Sequence, residues 1–221
     1  MKGVTPRVRR VWAKLNDLEL GIRTRVAGPA QRWRADGRRS EKAAEYPTAL
    51  YADAVAYETP DYWYVRKIAR TLADEGASNE VFFDLGSGKG RILCVMARWP
   101  YKKVMGIEMS ADLCEAARAN AHRMRRKRAP IEVLCADAAT ADLSTGTVFF
   151  LFNPFGRDTL RSVILNIERS LRNTPRQVRL VFYNPKHEDV LEACGWLTKY
   201  REFVTGVAGL RVEFWHNECG K

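Results

Sequence analysis

The sequence predicts a doubly wound α/β domain on a mostly parallel, seven-stranded sheet that ends in an antiparallel hairpin. Three observations lead there. Short, apolar strand patterns alternate with helical ones from residue 81 to residue 194, and such alternation gives a parallel sheet covered on both faces. Two extended runs then follow with no helix between them, separated by Gly206 and Gly209, which permit a hairpin turn. With 221 residues, 46% of them hydrophobic, the chain has apolar surface enough for one such core.

The elements follow in order. Residues 1–45 read as a basic, partly helical extension broken by Gly28-Pro29 and Gly37, and residues 46–221 as the domain. Trp12, Leu15, Leu18 and Ile22 recur at helical spacing, so this stripe is expected to dock on the domain, with a membrane or partner as the other destination. TPDYWYVRKIARTLADEG reads as a helix with Thr59 as N-cap, Pro60 at its first position and Gly76 at its end. VFFDLG (81–86) is a buried strand, followed by the helical GRILCVMARW. KVMGIEM (103–109) is a second strand, with a helix beginning near Ser110. IEVLCAD (131–137), TVFFLFN (147–153) and VRLVFYN (178–184) are three more strands, and helices are expected over 157–171 and near 188–194. WLTKYREFV and LRVEFWH complete the sheet.

Charge narrows the range of partners. Lysine and arginine exceed acids by 37 to 26, a net +11, and residues 1–45 hold +7 of it, from 12 basic and 5 acidic side chains. A basic surface attracts polyanions, so nucleic acid is a possible partner through this extension and through the run Arg123–Arg128. That run also falls where a helix ends, and cations there complement the helix dipole. Five scattered cysteines form no C-x-x-C pair and the three histidines lie far apart, so neither a disulfide framework nor a metal site is expected. No stretch is apolar enough to span a bilayer, and the N-terminus lacks an apolar signal core; a reduced cytoplasmic location is expected.

The chemistry concentrates in FDLGSGKGR (83–91), at the carboxyl end of the first strand, where open α/β sheets bind ligands. Gly86, Gly88 and Gly90 let the backbone turn tightly, and free N–H groups at the following helix start offer donors. The spacing is neither G-x-G-x-x-G nor the phosphate loop's G-K-[ST]. An acid, Asp84, two residues before the first glycine repels a pyrophosphate and suits a ligand with ammonium and sulfonium groups.

FDLGSGKGR, VMGIEMS and the strand ending in FNPF resemble the motifs of class I S-adenosylmethionine-dependent methyltransferases, over about residues 55–216. The resemblance implies their Rossmann-like fold, with the last strand inserted antiparallel, and S-adenosylmethionine as cofactor. It implies that Asp84, Gly86 and Gly88, with Ser87 and Gly90 in the same loop, line the methionine end of the cofactor. Glu108, 18 residues after Gly90 and followed by Met109, would accept from the ribose hydroxyls, and Asp137, followed by Ala138, would meet the adenine amino group. AYETP (56–60) resembles the segment folded over the cofactor, making Tyr57 and Thr59 further cofactor-site candidates beside their reading as packed ring and helix cap. Asn153-Pro154-Phe155 resembles the acceptor motif of nitrogen methyltransferases, closest to lysine methyltransferases without a SET domain and their bacterial relatives. By that resemblance these three are the catalytic candidates, with a lysine-like protein nitrogen as acceptor. RNA or DNA, a small molecule, or a non-catalytic cofactor-binding scaffold stand as alternatives. His187, in FYNPKHED, is either a base facing the acceptor or an ordinary loop histidine.

Overall fold

A computed structural model describes residues 6–24, 60–152, 155–206 and 209–218. Its elements run α1 (Pro6–Leu20), α2 (Tyr62–Asp74), β1 (Val81–Leu85), α3 (Arg91–Met96), β2 (Lys103–Glu108), α4 (Ala111–Arg123), β3 (Ile131–Cys135), β4 (Val148–Leu151), α5 (Arg157–Asn173), β5 (Arg179–Tyr183), α6 (Asp189–Glu192), β6 (Leu197–Val204) and β7 (Arg211–Asn217). Among the described residues the strands form one seven-stranded sheet in the order β3-β2-β1-β4-β5-β7-β6. β1 to β5 pair in parallel, and β7 inserts antiparallel between β5 and β6.

The central strands are buried throughout because each face has its own core. Phe82, Val148, Phe150 and Val181 face the core shared with α2 and α3, whereas Phe83, Leu85, Phe149 and Leu151 face the core shared with α5 and α6. Period-two alternation sends neighbouring residues to opposite layers, so a strand covered on both sides is apolar at nearly every position. Asp84 is the exception on β1, at 2% exposure. The strand order reverses at β1, which is flanked by β2 on one side and β4 on the other. Such a switch point opens a crevice at the carboxyl ends of the strands.

Helix boundaries follow from capping. Ser110 caps α4 by accepting from the Leu113 N–H, as the sequence suggests. α2 departs from expectation: its N-cap is Asp61, whose carboxylate accepts from the Trp63 N–H at 2.8 Å, so the helix starts at Tyr62. Thr59 is therefore not the cap, because a carboxylate in extended backbone two residues later takes that place. At the other end Gly76 adopts φ +82° and the Ala77 N–H donates to the Leu72 carbonyl, closing the helix as expected.

The extension helix reverses the expected docking. Of the stripe, only Ile22, just past the helix, is buried; Trp12, Leu15 and Leu18 are 59, 53 and 60% exposed, as is Val11 at 53%. α1 instead docks through Leu20, partly buried Ala13, and the polar Asn16 and Asp17. Polar groups reach the interior here because they are bonded there. The Asp17 carboxylate accepts from the Thr24 N–H and hydroxyl and from the Tyr62 hydroxyl, while Asn16 donates to the Trp12 carbonyl. The expected boundary at residues 45–46 lies outside the described residues, but Leu20 and Ile22 share one core with α2 and α3.

This docking sets the cost of truncations on the two faces. Leu20→Ala should lower unfolding free energy by about 2–5 kcal/mol, as for a fully buried leucine, whereas Leu18→Ala should stay within about 0.5 kcal/mol. Chemical denaturation of both variants checks it; the reverse ranking would mean that the apolar stripe faces inward.

Candidate functional site

The site is assembled at the carboxyl end of β1. The Gly86 and Ser87 N–H groups donate to the Ile107 carbonyl at 2.9 and 3.0 Å, folding the loop back over β2. Gly86, Gly88 and Gly90 have φ of +87°, +52° and +75°, left-handed values that a side chain strains to reach. The alternate glycines are thus required by backbone shape, not merely by space. Gly90 leads into α3, and its own N–H returns to the Ser87 carbonyl at 2.9 Å.

Glu108 closes β2 one strand away. Its carboxylate accepts from the Gly88 N–H at 2.9 Å and from the Ser110 N–H at 2.9 Å, pinning the glycine loop to the second strand end. Ionised carboxylate oxygens have further lone pairs, so accepting from ligand hydroxyls remains open to it. Asp137 lies beyond β3, two strands from β1; its carboxylate accepts from the Ala139 N–H at 2.8 Å and shapes that turn, with Ala138 buried behind it. Met109 is partly buried, and its carbonyl accepts from the Cys135 thiol. Asp84, the glycine loop, Glu108 and Asp137 therefore occupy successive strand ends along one edge of the sheet.

Electrostatics marks two of these acids. Burial pushes the Asp84 carboxyl well above its usual range, and the neighbouring Glu108 charge pushes it further. Burial also raises Glu108, against three backbone N–H groups that pull it down. Among the described residues, one Asp84 oxygen and the Ser87 hydroxyl are buried without a hydrogen-bond partner. A buried carboxylate oxygen with no partner is costly unless a cation or donor meets it. This arrangement fits the charged methionine end of S-adenosylmethionine, and Glu108 fits its ribose.

The remaining candidates divide. Tyr57, Thr59, Asn153 and Pro154 lie outside the described residues. Phe155 is partly buried against the core of α5 and α6. His187 sits in the turn before α6, where its carbonyl accepts from the Val190 N–H. No group of metal-ligating side chains occurs among the described residues.

Sequence reasoning missed the supports of the loop. Gly106, inside β2, leaves room for it: a Cβ there would lie 2.6 Å from Leu93 Cδ1 and 2.7 Å from Ser87 Oγ. A glycine within a buried strand signals such close approach. Asn120 on α4 donates to the Lys89 carbonyl at 2.9 Å, accepts from the Arg23 N–H at 2.8 Å and donates to the Arg23 carbonyl at 3.2 Å. Arg91, the first residue of α3, donates to the Thr24 hydroxyl, lies 3.9 Å from the Asp17 carboxylate and stacks 4.7 Å over the Tyr62 ring. The segment after α1 is thus tied to both Lys89 and Arg91 of the glycine loop.

Two outcomes follow from this geometry. A carboxyl raised in the folded state disfavours folding once ionised; the penalty is absent below the unfolded value near 3.8, grows as pH rises, and is complete above the folded value. Asp84→Asn should therefore stabilise the ligand-free chain at pH about 8, with the gain vanishing toward pH about 4, while weakening S-adenosylmethionine binding. Thermal melts with and without ligand across pH read both effects. Gly106→Ala should raise the dissociation constant for the same ligand by at least about tenfold, since the loop must shift to admit the methyl group; calorimetric titration measures it.

Comparisons with known proteins bear on the fold. Residues 82–174 match the model of a family described as methyltransferase domain. No curated protein matches the sequence. Among solved structures, an RNA methyltransferase from Salinibacter ruber in complex with S-adenosyl-L-homocysteine aligns with TM-score 0.54 and 23% identity, over 75% of this chain and 100% of that one. Magnesium protoporphyrin IX methyltransferase from Synechocystis, with bound S-adenosylmethionine, aligns with TM-score 0.56 and 15% identity, over 88% and 100%. A TehB-like methyltransferase from Corynebacterium glutamicum gives 0.51 and 17%, over 68% and 86%. Residues 82–174 thus match a methyltransferase-domain family, and the chain shares the fold of these S-adenosylmethionine-dependent methyltransferase structures.

Proposed function

We propose that the chain transfers the methyl group of S-adenosylmethionine to a nitrogen of a protein acceptor, a lysine-like amine. The observation that carries the choice of nitrogen is Asn153-Pro154-Phe155, one residue beyond β4. β4 pairs in parallel with β1, with Leu151 opposite Leu85, so this motif follows a strand end adjacent to the one that leads into the glycine loop.

When bound, the cofactor supplies an activated methyl group on a sulfonium with a neutral leaving group. The protein's part is then alignment and exclusion of water. Asp84 and Glu108 hold the donor at one side of the switch point. An amine with a reference pKa of about 10.4 must shed its proton before attack, and carbonyl and amide oxygens around Asn153 and Pro154 would hold the neutral form in line. Aromatic groups gather on this side: Phe152 meets Tyr183 edge-on at 4.9 Å, and burial raises the Tyr183 hydroxyl above its usual range, which keeps it protonated.

A nucleic-acid acceptor is the second reading, favoured by the exposed Arg123, Arg125, Arg126, Lys127 and Arg128. Several structural neighbours act on other classes, among them RNA and a porphyrin by their names.

Methyl-labelled cofactor incubated with cell extract, followed by separation of protein, nucleic acid and small molecules, distinguishes the classes. Label should appear in protein, and Asn153→Ala should lower its transfer by about 100-fold or more with cofactor affinity unchanged, the scale expected for a group that acts at the reacting centre. Label confined to RNA, or full activity in the variant, would refute the proposal.

A further inference from the structure

α1 is built with its amphipathicity turned outward. Its inward face presents Asn16 and Asp17 beside Leu20, while Val11, Trp12, Leu15 and Leu18 form a solvent-facing stripe over two turns. An exposed apolar stripe of this kind is found where a surface meets something apolar. Asp17 fixes this orientation through its buried contacts with Thr24, Tyr62 and Arg91, so the helix cannot roll to hide its stripe without breaking them.

The stripe has basic surroundings. Exposed Lys14 lies on the same helix, whose sequence also carries Arg7, Arg9 and Arg10. Folding then brings the basic run at 123–128 to the end of this helix. The Arg125 N–H donates to the Leu20 carbonyl at 2.9 Å, and Gly21 lies so close to Arg123 and Arg125 that a Cβ would be 3.0 Å from the Arg123 carbonyl oxygen. Arg123, Arg125, Arg126, Lys127 and Arg128 are all exposed beside that helix end, as is Arg23. The acid of α1 that faces solvent, Glu19, is engaged by Arg66 and Arg98.

We propose that α1 and residues 123–128 form a docking surface for an anionic lipid bilayer. The helix is about 22 Å long at 1.5 Å per residue, and no described helix is long and apolar enough to cross a membrane, so it lies in the interfacial plane. Val11, Leu15 and Leu18 enter the acyl boundary, Trp12 sits at headgroup depth, and the lysine and arginine side chains meet lipid phosphates. A nucleic-acid strand would satisfy the cations and leave three aliphatic side chains in water; an anionic bilayer satisfies both. Because β1, the glycine loop and α1 are joined through Arg91 and Asn120, docking fixes the orientation of the whole site toward the surface.

The test is co-sedimentation of the full chain with vesicles of phosphatidylglycerol and phosphatidylcholine, against vesicles of phosphatidylcholine alone. Its readout is partition, independent of methyl transfer and of the acceptor. The chain should pellet with the anionic vesicles only. Leu15→Asp with Leu18→Asp should lower that partition by at least about tenfold with an unchanged melting temperature, as should Arg125→Glu with Arg126→Glu. A blue shift of tryptophan fluorescence on vesicle binding should be lost largely in Trp12→Phe. Failure to pellet with anionic vesicles overturns the proposal, as does pelleting that the leucine pair leaves unchanged. Binding to RNA in place of vesicles overturns it too, and so does self-association abolished by the leucine pair, which would assign the stripe to a second copy.

Discussion

A carboxyl group buried in the central strand is the constraint around which this domain is arranged. Asp84 lies on the central strand, 2% exposed, with one oxygen unbonded among the described residues and the Glu108 charge nearby. Folding alone gains nothing from it. Leucine or valine at that position would extend the apolar core of β1 at lower cost, which supports the proposal that the acid serves a ligand. The surrounding structure keeps it poised: three left-handed glycines turn the loop away from the strand, and Glu108 grips that loop at Gly88. Stability is given up at the switch point of the sheet, and on the proposed reading a cationic ligand would restore it.

The loop is braced from two sides. Gly106 gives Ser87 and Leu93 room to pack over β2, and Asn120 holds the Lys89 carbonyl from α4. Arg91 extends the brace to residues before the domain proper, through Thr24 and Asp17. Breaking a buried pair of this kind leaves an uncompensated charge, which is why such contacts behave as a unit. The segment around α1 is therefore mechanically part of the glycine loop's support even though its outer face is turned elsewhere.

Most of the fold was legible because the buried strands are short apolar runs bounded by turn residues, and the crossover helices carry clear starts and stops. VFFDLG and TVFFLFN show this best. The glycine loop was legible too, since alternate glycines beside an acid have few other uses. What escaped depended on contacts distant in sequence. Asp17 and Arg91 are 74 positions apart, and no local pattern foretells that a polar face would be the buried one. Apolar periodicity gave the right helix and the wrong face, because it assumes that the interior is the only apolar place to go. The cap of α2 is Asp61, two residues after the threonine expected, because only the fold shows which side chain reaches the first turn. Gly106 did carry a signal, a glycine inside a buried strand, that passed unread.

The central claim is that this site is shaped for a positively charged sulfur nucleoside and turns phosphates away. Calorimetric titration of the purified chain with S-adenosylmethionine, S-adenosylhomocysteine, adenosine triphosphate and a nicotinamide dinucleotide measures it directly. Saturable binding of the two sulfur nucleosides, with no heat from the phosphate ligands, is the predicted result. Tight binding of the triphosphate or dinucleotide, with no affinity for either sulfur nucleoside, would contradict it.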